Sequence, residues 1–333
     1  MSTPGSPSVR LAGFPTLAPA MVPLLKTFAK AREFLLTRAR PLERARFRLH
    51  FGGEPVTEAR TALAAFQNTN GGFGHALEPD LRLPGSSALA TLVAFELFRE
   101  LGLVAEDPMV RAAVRWTQTA FDRALGRWPA TPPGVNDWPH APWWTWQEPG
   151  PPAFTANPGA ELIAHLWHYH GAADSGFLAD VTTRVQRVLG ELPAKPEMHD
   201  LLCILRLAET PTVPAAVRDQ AAACLRRAVP LVVERDPKAW TGYGLQPLML
   251  APRVDSLVAP LLSDAVSANL DFLVERQGDD GAWAPNWSWA DLFPEDWPLA
   301  EREWKGVLTM QALLTLRSYG RLPAAPSTSS TPP

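Results

Sequence analysis

The chain has 333 residues, of which 46% are hydrophobic and 20% charged, a balance typical of soluble globular proteins. Its formal net charge is −3 without a cluster of Lys and Arg, which disfavours nucleic acid and anionic membranes as partners. The sequence contains neither an apolar run of about 18 residues nor the basic and apolar regions of a signal peptide. We therefore expect a cytoplasmic protein without a membrane span.

The two ends of the chain differ in composition from its middle. Residues 1–15 and 323–333 are rich in Pro, Ser and Thr and are expected to be disordered, which leaves one domain at residues 16–322. Cys203 and Cys224 are too few for a disulfide framework and wrongly spaced for a Cys-rich zinc site. We expect both to be reduced core residues.

Apolar residues at helical spacing, interrupted by Pro and Gly, predict about twelve helices and almost no strand. The predicted helices span residues 19–37, 41–50, 55–67, 87–101, 108–123, 158–170, 176–190, 197–208, 214–233, 238–249, 255–276 and 304–319. Asp107 and Asn157 each precede a proline that suits the first helical position, and Ser86 or Ser87 can cap the fourth helix.

An eleven-residue pattern, Leu-x3-Gln-x3-Gly-x-aromatic, occurs twice. The first copy, here called the first clasp, is Leu63, Gln67, Gly71 and Phe73, and the second clasp is Leu273, Gln277, Gly281 and Trp283. Leu and Gln four residues apart share a helix face, and Gly permits a left-handed exit from the helix. The aromatic side chain can then fold back over the break. The pattern therefore predicts a connection between two helices.

The similarity continues after each clasp. Residues 88–102 align without gaps with residues 306–320, which pairs Thr91 with Thr309 and Arg99 with Arg317. The residues between the clasps leave room for about four more helix pairs at roughly 40 to 50 residues per pair. We therefore predict an all-α fold, an (α/α)6 toroid in which six helix hairpins close into a double ring.

These clasps resemble the Gln-Trp repeats of the terpenoid cyclase and protein prenyltransferase superfamily, whose members include squalene-hopene cyclase. The resemblance covers about the first third and the last fifth of the chain and implies an α/α toroid. Arg60 is followed by Thr61, so the Lys/Arg-Gly that opens the family repeat is missing. The chain also lacks Asp-x-Asp-Asp, whose aspartate protonates an alkene in the cyclases, and Asp-Asp-x-x-Asp, a diphosphate motif.

Ten of the thirteen tryptophans lie in two loop-rich segments, residues 126–157 and 283–304. Such loops could plug one end of the ring, because tryptophan buries a large area. Alternatively, their indoles line a central cavity that binds substrate. The residues proposed for substrate binding are Trp143, Trp144, Trp287, Trp289 and Trp304.

Three titratable residues follow the first clasp: His75, Glu78 and Asp80. They are our candidate catalytic residues, because a carboxyl buried in a tryptophan-walled pocket has a raised pKa and can act as a general acid. A solvent-exposed turn before a helix would look the same, since the helix dipole favours acidic residues there.

Glu161, His165 and His168 share one face of a predicted helix at i, i+4 and i+7. Their spacing suits a metal, a proton relay or an ordinary polar face, and Glu161 and His165 are included as substrate-binding candidates. In the protein prenyltransferases the zinc site uses Asp-x-Cys, whereas Asp200 and Cys203 are spaced Asp-x-x-Cys. We predict no metal and no cofactor.

The sequence leaves three functions open. The first is an enzyme that binds or transforms an isoprenoid-like small molecule, with Asp80 or Glu78 as the acid. The second is a carbohydrate-active toroid that uses paired carboxylates, Glu78 with Asp80 or Glu148. The third is a non-catalytic protein that binds a small molecule in the same pocket.

Overall fold

The computed structural model of the protein describes residues 21–322. Within this range the chain forms twelve α-helices and no β-strand, which confirms the all-α prediction. The helices are α1 (Met21–Thr37), α2 (Pro41–Gly52), α3 (Thr57–Ala64), α4 (Ala88–Glu100), α5 (Pro108–Thr119), α6 (Ala156–His168), α7 (Ser175–Glu191), α8 (Met198–Ala208), α9 (Ala215–Val232), α10 (Pro247–Leu250), α11 (Ser263–Glu275) and α12 (Trp297–Ser318). Residues 1–15 and 323–333, for which we expect disorder, lie outside the described residues.

Two predicted helix starts have the expected capping bonds. At the start of α5 the carboxylate of Asp107 accepts the backbone N–H of Met109 at 2.8 Å. At the start of α4 the hydroxyl of Ser87 accepts the backbone N–H of Ala90 at 3.0 Å. Each bond satisfies an N–H group that has no partner inside its helix.

The start of α6 differs from the prediction, because Asn157 does not cap the helix. The backbone of Asn157 is non-helical, with φ −95° and ψ 121°, although it lies within the bounds of α6. Its N–H donates to Asp200 at 3.0 Å, and the Cys203 thiol donates to its side-chain oxygen at 3.9 Å. Asp200 and Cys203 therefore connect α8 to the start of α6.

The largest departures from the predicted helices lie in the last third of the chain. The predicted helix 238–249 is reduced to the four residues of α10, because Gly242 and Gly244 lie in the turns and bends that precede it. Helix α12 begins at Trp297, seven residues earlier than predicted. Pro298 lies in its first turn, where a missing N–H costs no helical hydrogen bond.

The two clasps make the same hydrogen bonds. Gln67 Nε2 donates to the carbonyl of Gly71 at 2.9 Å and to that of Met109 in α5 at 3.0 Å. Gln277 Nε2 donates to the carbonyl of Gly281 at 2.9 Å and to that of Thr27 in α1 at 2.8 Å. The first clasp thus bonds to α5, and the second bonds to α1.

The aromatic residues of the clasps are also equivalent. The N–H of Phe73 donates to Thr91 Oγ1 at 3.0 Å, and the N–H of Trp283 donates to Thr309 Oγ1 at 3.1 Å. The glycine two residues earlier has φ +96° in the first clasp and +87° in the second, a region that favours glycine. The alignment of Thr91 with Thr309 is therefore confirmed as a structural equivalence.

Both ends of the described chain contact each other. Helix α12 packs against α1 and α2, in addition to the hydrogen bond between the second clasp and α1. One continuous cluster of buried apolar side chains contains residues from α1 through α12, including Leu35, Phe98, Ile163 and Leu313. Within residues 21–322 no helix is both long and apolar enough to cross a membrane.

Candidate functional site

The segment 74–81, between the first clasp and α4, holds the candidate acids in an unusual backbone. His75 and Ala76 have φ 56° and 60°, in the left-handed region that non-glycine residues seldom adopt. Arg40 at the start of α2 donates to the carbonyl oxygen of Ala76 at 2.9 Å. This contact helps to hold the chain immediately before Glu78 and Asp80.

Asp80 is a buried carboxyl, 2% exposed, that accepts three indole N–H groups. Trp289 and Trp304 each donate to Oδ1 at 2.7 Å, and Trp287 donates to Oδ2 at 2.9 Å. An indole N–H can only donate, so these three bonds favour the ionised carboxylate. Burial raises the pKa of Asp80, and the three indoles oppose that rise. Both oxygens of Asp80 are thus occupied.

Glu78 lies beside Asp80 in the chain but has a different environment. Its side chain is buried, and neither its Oε2 nor the indole nitrogen of the nearby Trp144 has a hydrogen-bond partner among the described residues. Burial raises the pKa of Glu78 well above its usual range, and the neighbouring charge of Asp80 raises it further, while the backbone N–H of Asp80, the nearby indole of Trp144 and the charge of Arg40 only partly oppose the rise. A carboxyl that keeps its proton at higher pH can act as a general acid.

A cavity of about 660 Å³ lies next to Glu78, between α2, α4, α8 and α12. Its volume falls within the range of small-molecule sites. Its charged lining residues are Arg40, Arg46, Arg99, Arg206, Arg253 and Arg317, with Glu43, Glu78, Glu96, Glu100 and Glu209. The apolar lining residues include Leu77, Val93, Leu97, Val307 and Leu314.

Most of the charges that line the cavity form ion pairs with one another. The pairs are Arg40–Glu43 at 2.7 Å, Arg46–Glu100 at 2.6 Å, Arg206–Glu96 at 2.7 Å and Arg253–Glu209 at 3.1 Å. Three charged lining residues have no salt bridge to any described residue: Glu78, Arg99 and Arg317.

Glu161 and His165 form a buried polar group on the far side of Arg206. Arg206 Nε donates to Glu161 at 3.2 Å, and His165 Nε2 lies 3.7 Å from the same carboxylate. His165 is fully buried and stacks on Phe95. Burial, together with the charge of Arg206, lowers the pKa of His165 well below its usual value and keeps the ring neutral.

His168 is exposed, so the predicted stripe of three residues does not converge on one point. Across residues 21–322 no group of three or more His, Cys, Asp or Glu side chains is arranged to hold a metal ion.

The structure brings most of the predicted site residues together. Six of them form one cluster, which consists of the two carboxyl groups and the four tryptophans beside them: Glu78, Asp80, Trp144, Trp287, Trp289 and Trp304. Among the tryptophans, only Trp304 borders the cavity, and the other three indoles lie at the carboxyl groups behind its wall. Trp143 is 48% exposed, and the exposed ring of His75 bonds to Asn68 at 2.9 Å.

Sequence reasoning missed the arginines of the cavity. Arg99 and Arg317 occupy equivalent positions in the two aligned segments, and this repetition was the available signal. Both lie in the last turn of a helix, Arg99 in α4 and Arg317 in α12. Because basic residues are common at helix C-termini, the pattern alone does not distinguish a ligand site from a helix end.

Comparisons of the chain with protein families, curated proteins and solved structures found no match in any of the three.

Proposed function

We propose that this protein is an enzyme that binds a small organic molecule in the cavity and protonates it with Glu78 as the general acid. The observation that carries the proposal is the buried carboxyl of Glu78, which lies at the cavity wall without a salt bridge to any described residue. Burying a carboxyl without a salt bridge is unfavourable for stability, and a buried carboxyl with a strongly shifted pKa beside a cavity is typical of a functional site.

Asp80 serves in this proposal as a positioning residue. Its oxygens accept the N–H groups of Trp287, Trp289 and Trp304, which leaves it poorly placed to transfer a proton. Its negative charge raises the pKa of Glu78 and so favours the protonated acid. The two adjacent carboxyl groups therefore have different roles, because their surroundings differ.

The substrate would carry an apolar portion. Leu77, Val93 and Leu97 on one wall, with Val307 and Leu314 on another, would contact a hydrocarbon skeleton. An isoprenoid-like skeleton agrees with the resemblance to the terpenoid cyclases, in which a carboxylic acid protonates an alkene. Glu78 would perform that step in the absence of an Asp-x-Asp-Asp motif.

A carbohydrate-active site is less well supported. Glycoside hydrolysis requires two carboxyl groups on either side of the scissile bond, roughly 5 to 10 Å apart. Asp80 is occupied by three indoles, and Glu148 is exposed outside the cavity lining. Glu78 thus lacks a suitably placed second carboxyl among these two candidates.

For the fold we infer a closed (α/α)6 toroid, whose inner ring contains α2, α4, α6, α8, α10 and α12. In support, α12 packs against α2, α4 against α6, α6 against α8 and α8 against α10. The second clasp bonds to α1 as the first bonds to α5, which is the relationship expected if α1 follows α11 around a ring. The cavity would then lie between four inner helices.

The test uses the full-length protein with geraniol, farnesol and squalene, in D2O, with products analysed by mass spectrometry. Protonation of an alkene by Glu78 would break the O–D bond and place deuterium on a carbon, and the resulting carbocation would lose a proton from a neighbouring carbon or add water and then lose a proton, which restores the acid. General acid catalysis typically contributes about 10²- to 10⁴-fold in rate, so Glu78→Gln should lower turnover by at least roughly 100-fold. Ligand binding by this variant should persist.

Glu148→Gln is the matched control, because Glu148 is exposed and does not line the cavity. It should leave the rate unchanged. Equal rates for the wild type and Glu78→Gln would rule out Glu78 as the acid. Binding of the probes without turnover in any variant would favour a non-catalytic binding protein.

A further inference from the structure

We propose that Arg99 and Arg317 together bind an oxyanion of the ligand, a phosphate or a carboxylate group, inside the cavity. This inference names the substrate class of the same site and rests on the proposed function for the location of that site. It does not depend on the reaction, because anion binding can be measured without turnover.

The two arginines reach the cavity from equivalent places in the fold. Arg99 lies in the last turn of α4 and Arg317 in the last turn of α12, the helices that follow the first and second clasps. Both side chains line the same cavity. The two copies of the structural unit thus each place an arginine in the wall of the same cavity.

Each guanidinium is held in place by neutral groups. Arg99 Nη1 donates to the hydroxyl of Thr210 at 3.0 Å. Arg317 Nη1 donates to the carbonyl of His50 at 2.6 Å, and its guanidinium lies 4.6 Å from the ring centroid of Phe51. A guanidinium has five N–H donors, so these contacts orient both groups and leave several donors of each for a ligand.

The pKa shifts distinguish these two arginines from others in the cavity. Burial lowers the pKa of Arg46 and Arg206, but their glutamate partners outweigh this effect and raise it. Burial also lowers the pKa of Arg99 and Arg317, and there the net shift remains downward. Glu96 and Glu161 act on Arg99 and Glu100 acts on Arg317, but none of them forms a salt bridge that offsets the burial, and a ligand oxyanion would provide such a partner.

Glu100, the carboxylate whose charge acts on Arg317, already has other partners. Glu100 accepts Arg46 at 2.6 Å and His50 Nε2 at 2.9 Å. His50 Nδ1 lies 3.5 Å from Arg317 Nη2. Glu100 thus has a strong partner in Arg46, and Arg317 remains free for an external anion.

A planar guanidinium can donate two parallel N–H bonds to a phosphate or carboxylate, and such charge-assisted bonds are the strong ones. With Glu78 protonated, the charges of the lining that lack a salt bridge are both positive. The cavity therefore favours a molecule that carries an anionic group beside its apolar part over a neutral hydrocarbon.

The experiment measures the melting temperature of the full-length protein at increasing concentrations of inorganic phosphate and, separately, of malonate. Sodium chloride at matched ionic strength provides the reference. Ligands that bind only the folded state raise the melting temperature as their concentration rises. We expect at least one anion to stabilise the wild type beyond the chloride reference, and the effective one identifies the group as phosphate or carboxylate.

Arg99→Gln and Arg317→Gln should each weaken binding at least tenfold, because both arginines contact the same anion. Arg111→Gln is the matched control, since Arg111 is exposed on α5 and does not line the cavity. Arg99→Lys and Arg317→Lys keep the charge and should retain part of the affinity even if a glutamine variant folds poorly. Circular dichroism checks the folding of each variant.

Stabilisation of the wild type by neither anion would overturn the proposal, as would undiminished binding by either glutamine variant. Glu78→Gln should bind the anion at least as well as the wild type, because this substitution removes only a potential negative charge. Anion binding together with an unaffected rate in Glu78→Gln would refute the proposed acid and leave the anion site standing. Turnover of a neutral probe that depends on Glu78, without any anion binding, would refute the anion site and leave the proposed acid standing.

Discussion

The indole N–H of Trp289 donates to Asp80 over 2.7 Å, although the two residues are 209 positions apart in the chain. This bond connects the segment after the first clasp to the tryptophan-rich segment after the second. Trp304 donates to the same oxygen, also at 2.7 Å. Asp80, which follows the first clasp, is therefore hydrogen-bonded to two tryptophans that follow the second clasp.

Asp80→Asn should destabilise the protein. An asparagine side chain offers one acceptor oxygen, and its NH2 group would face the N–H of Trp287 or those of Trp289 and Trp304. Because hydrogen bonds to a charged group are lost and buried donors are left unpaired, we expect the free energy of unfolding to fall by roughly 3 kcal/mol. Urea denaturation measures this change. Asp137→Asn, at an exposed position, should change it by less than about 0.5 kcal/mol, and equal losses in both variants would contradict the role of Asp80.

Glu78→Gln should change how stability depends on pH. The pKa of Glu78 is raised in the folded state, so the folded protein keeps a proton that the unfolded chain has lost. Stability from this group is complete below the usual glutamate pKa and decreases as pH rises towards the folded pKa, by up to about 1.4 kcal/mol per pH unit. The unfolding free energy of the wild type minus that of Glu78→Gln should therefore decrease as pH rises from the usual glutamate pKa through the raised folded-state pKa. Urea titrations at several pH values measure it, and a constant difference would show that Glu78 titrates normally.

His165→Phe should also change how stability depends on pH, but here the wild type should lose stability as pH falls and not as it rises. The pKa of His165 is lowered well below its usual value, mainly by burial, so the unfolded chain takes up a proton that the folded protein excludes. Stability from this group is present above the unfolded pKa of about 6.5 and decreases as pH falls below it. The wild type should lose more stability than His165→Phe between pH 7 and pH 5. Parallel pH profiles of the two proteins would mean that His165 is not kept neutral.

Gly281→Ala tests the contact between the second clasp and α1. Gly281 has φ +87°, and a Cβ there would collide with the carbonyl oxygen of Lys30. Gly320 has φ +67° with no atom within 4 Å of such a Cβ, so it is a matched control for the backbone conformation alone. Gly320→Ala should cost about 1 kcal/mol and Gly281→Ala roughly 2 kcal/mol more, as measured by urea denaturation. Similar costs for the two variants would indicate that the clasp and α1 are not in close contact.

Much of the local structure could be predicted from the sequence, because its causes lie within a few residues. The capping side chains of Asp107 and Ser87 and the left-handed glycines of the clasps depend on neighbours in the chain. The same locality explains the error at α10, where apolar spacing favoured a helix and Gly242 and Gly244 lowered its stability.

The tertiary structure alone decided which charged residues have partners and which do not. The pairs Arg46–Glu100 and Arg206–Glu96 join residues 54 and 110 positions apart, and no local pattern specifies such distances. Glu78 and Asp80 both carry a carboxyl group and lie two positions apart in the chain. In the folded protein, however, Asp80 accepts three indole N–H groups, whereas Glu78 lines the cavity. Desolvation and long-range pairing depend on the whole fold, so the sequence could identify the two carboxyl groups as candidates but could not assign their roles.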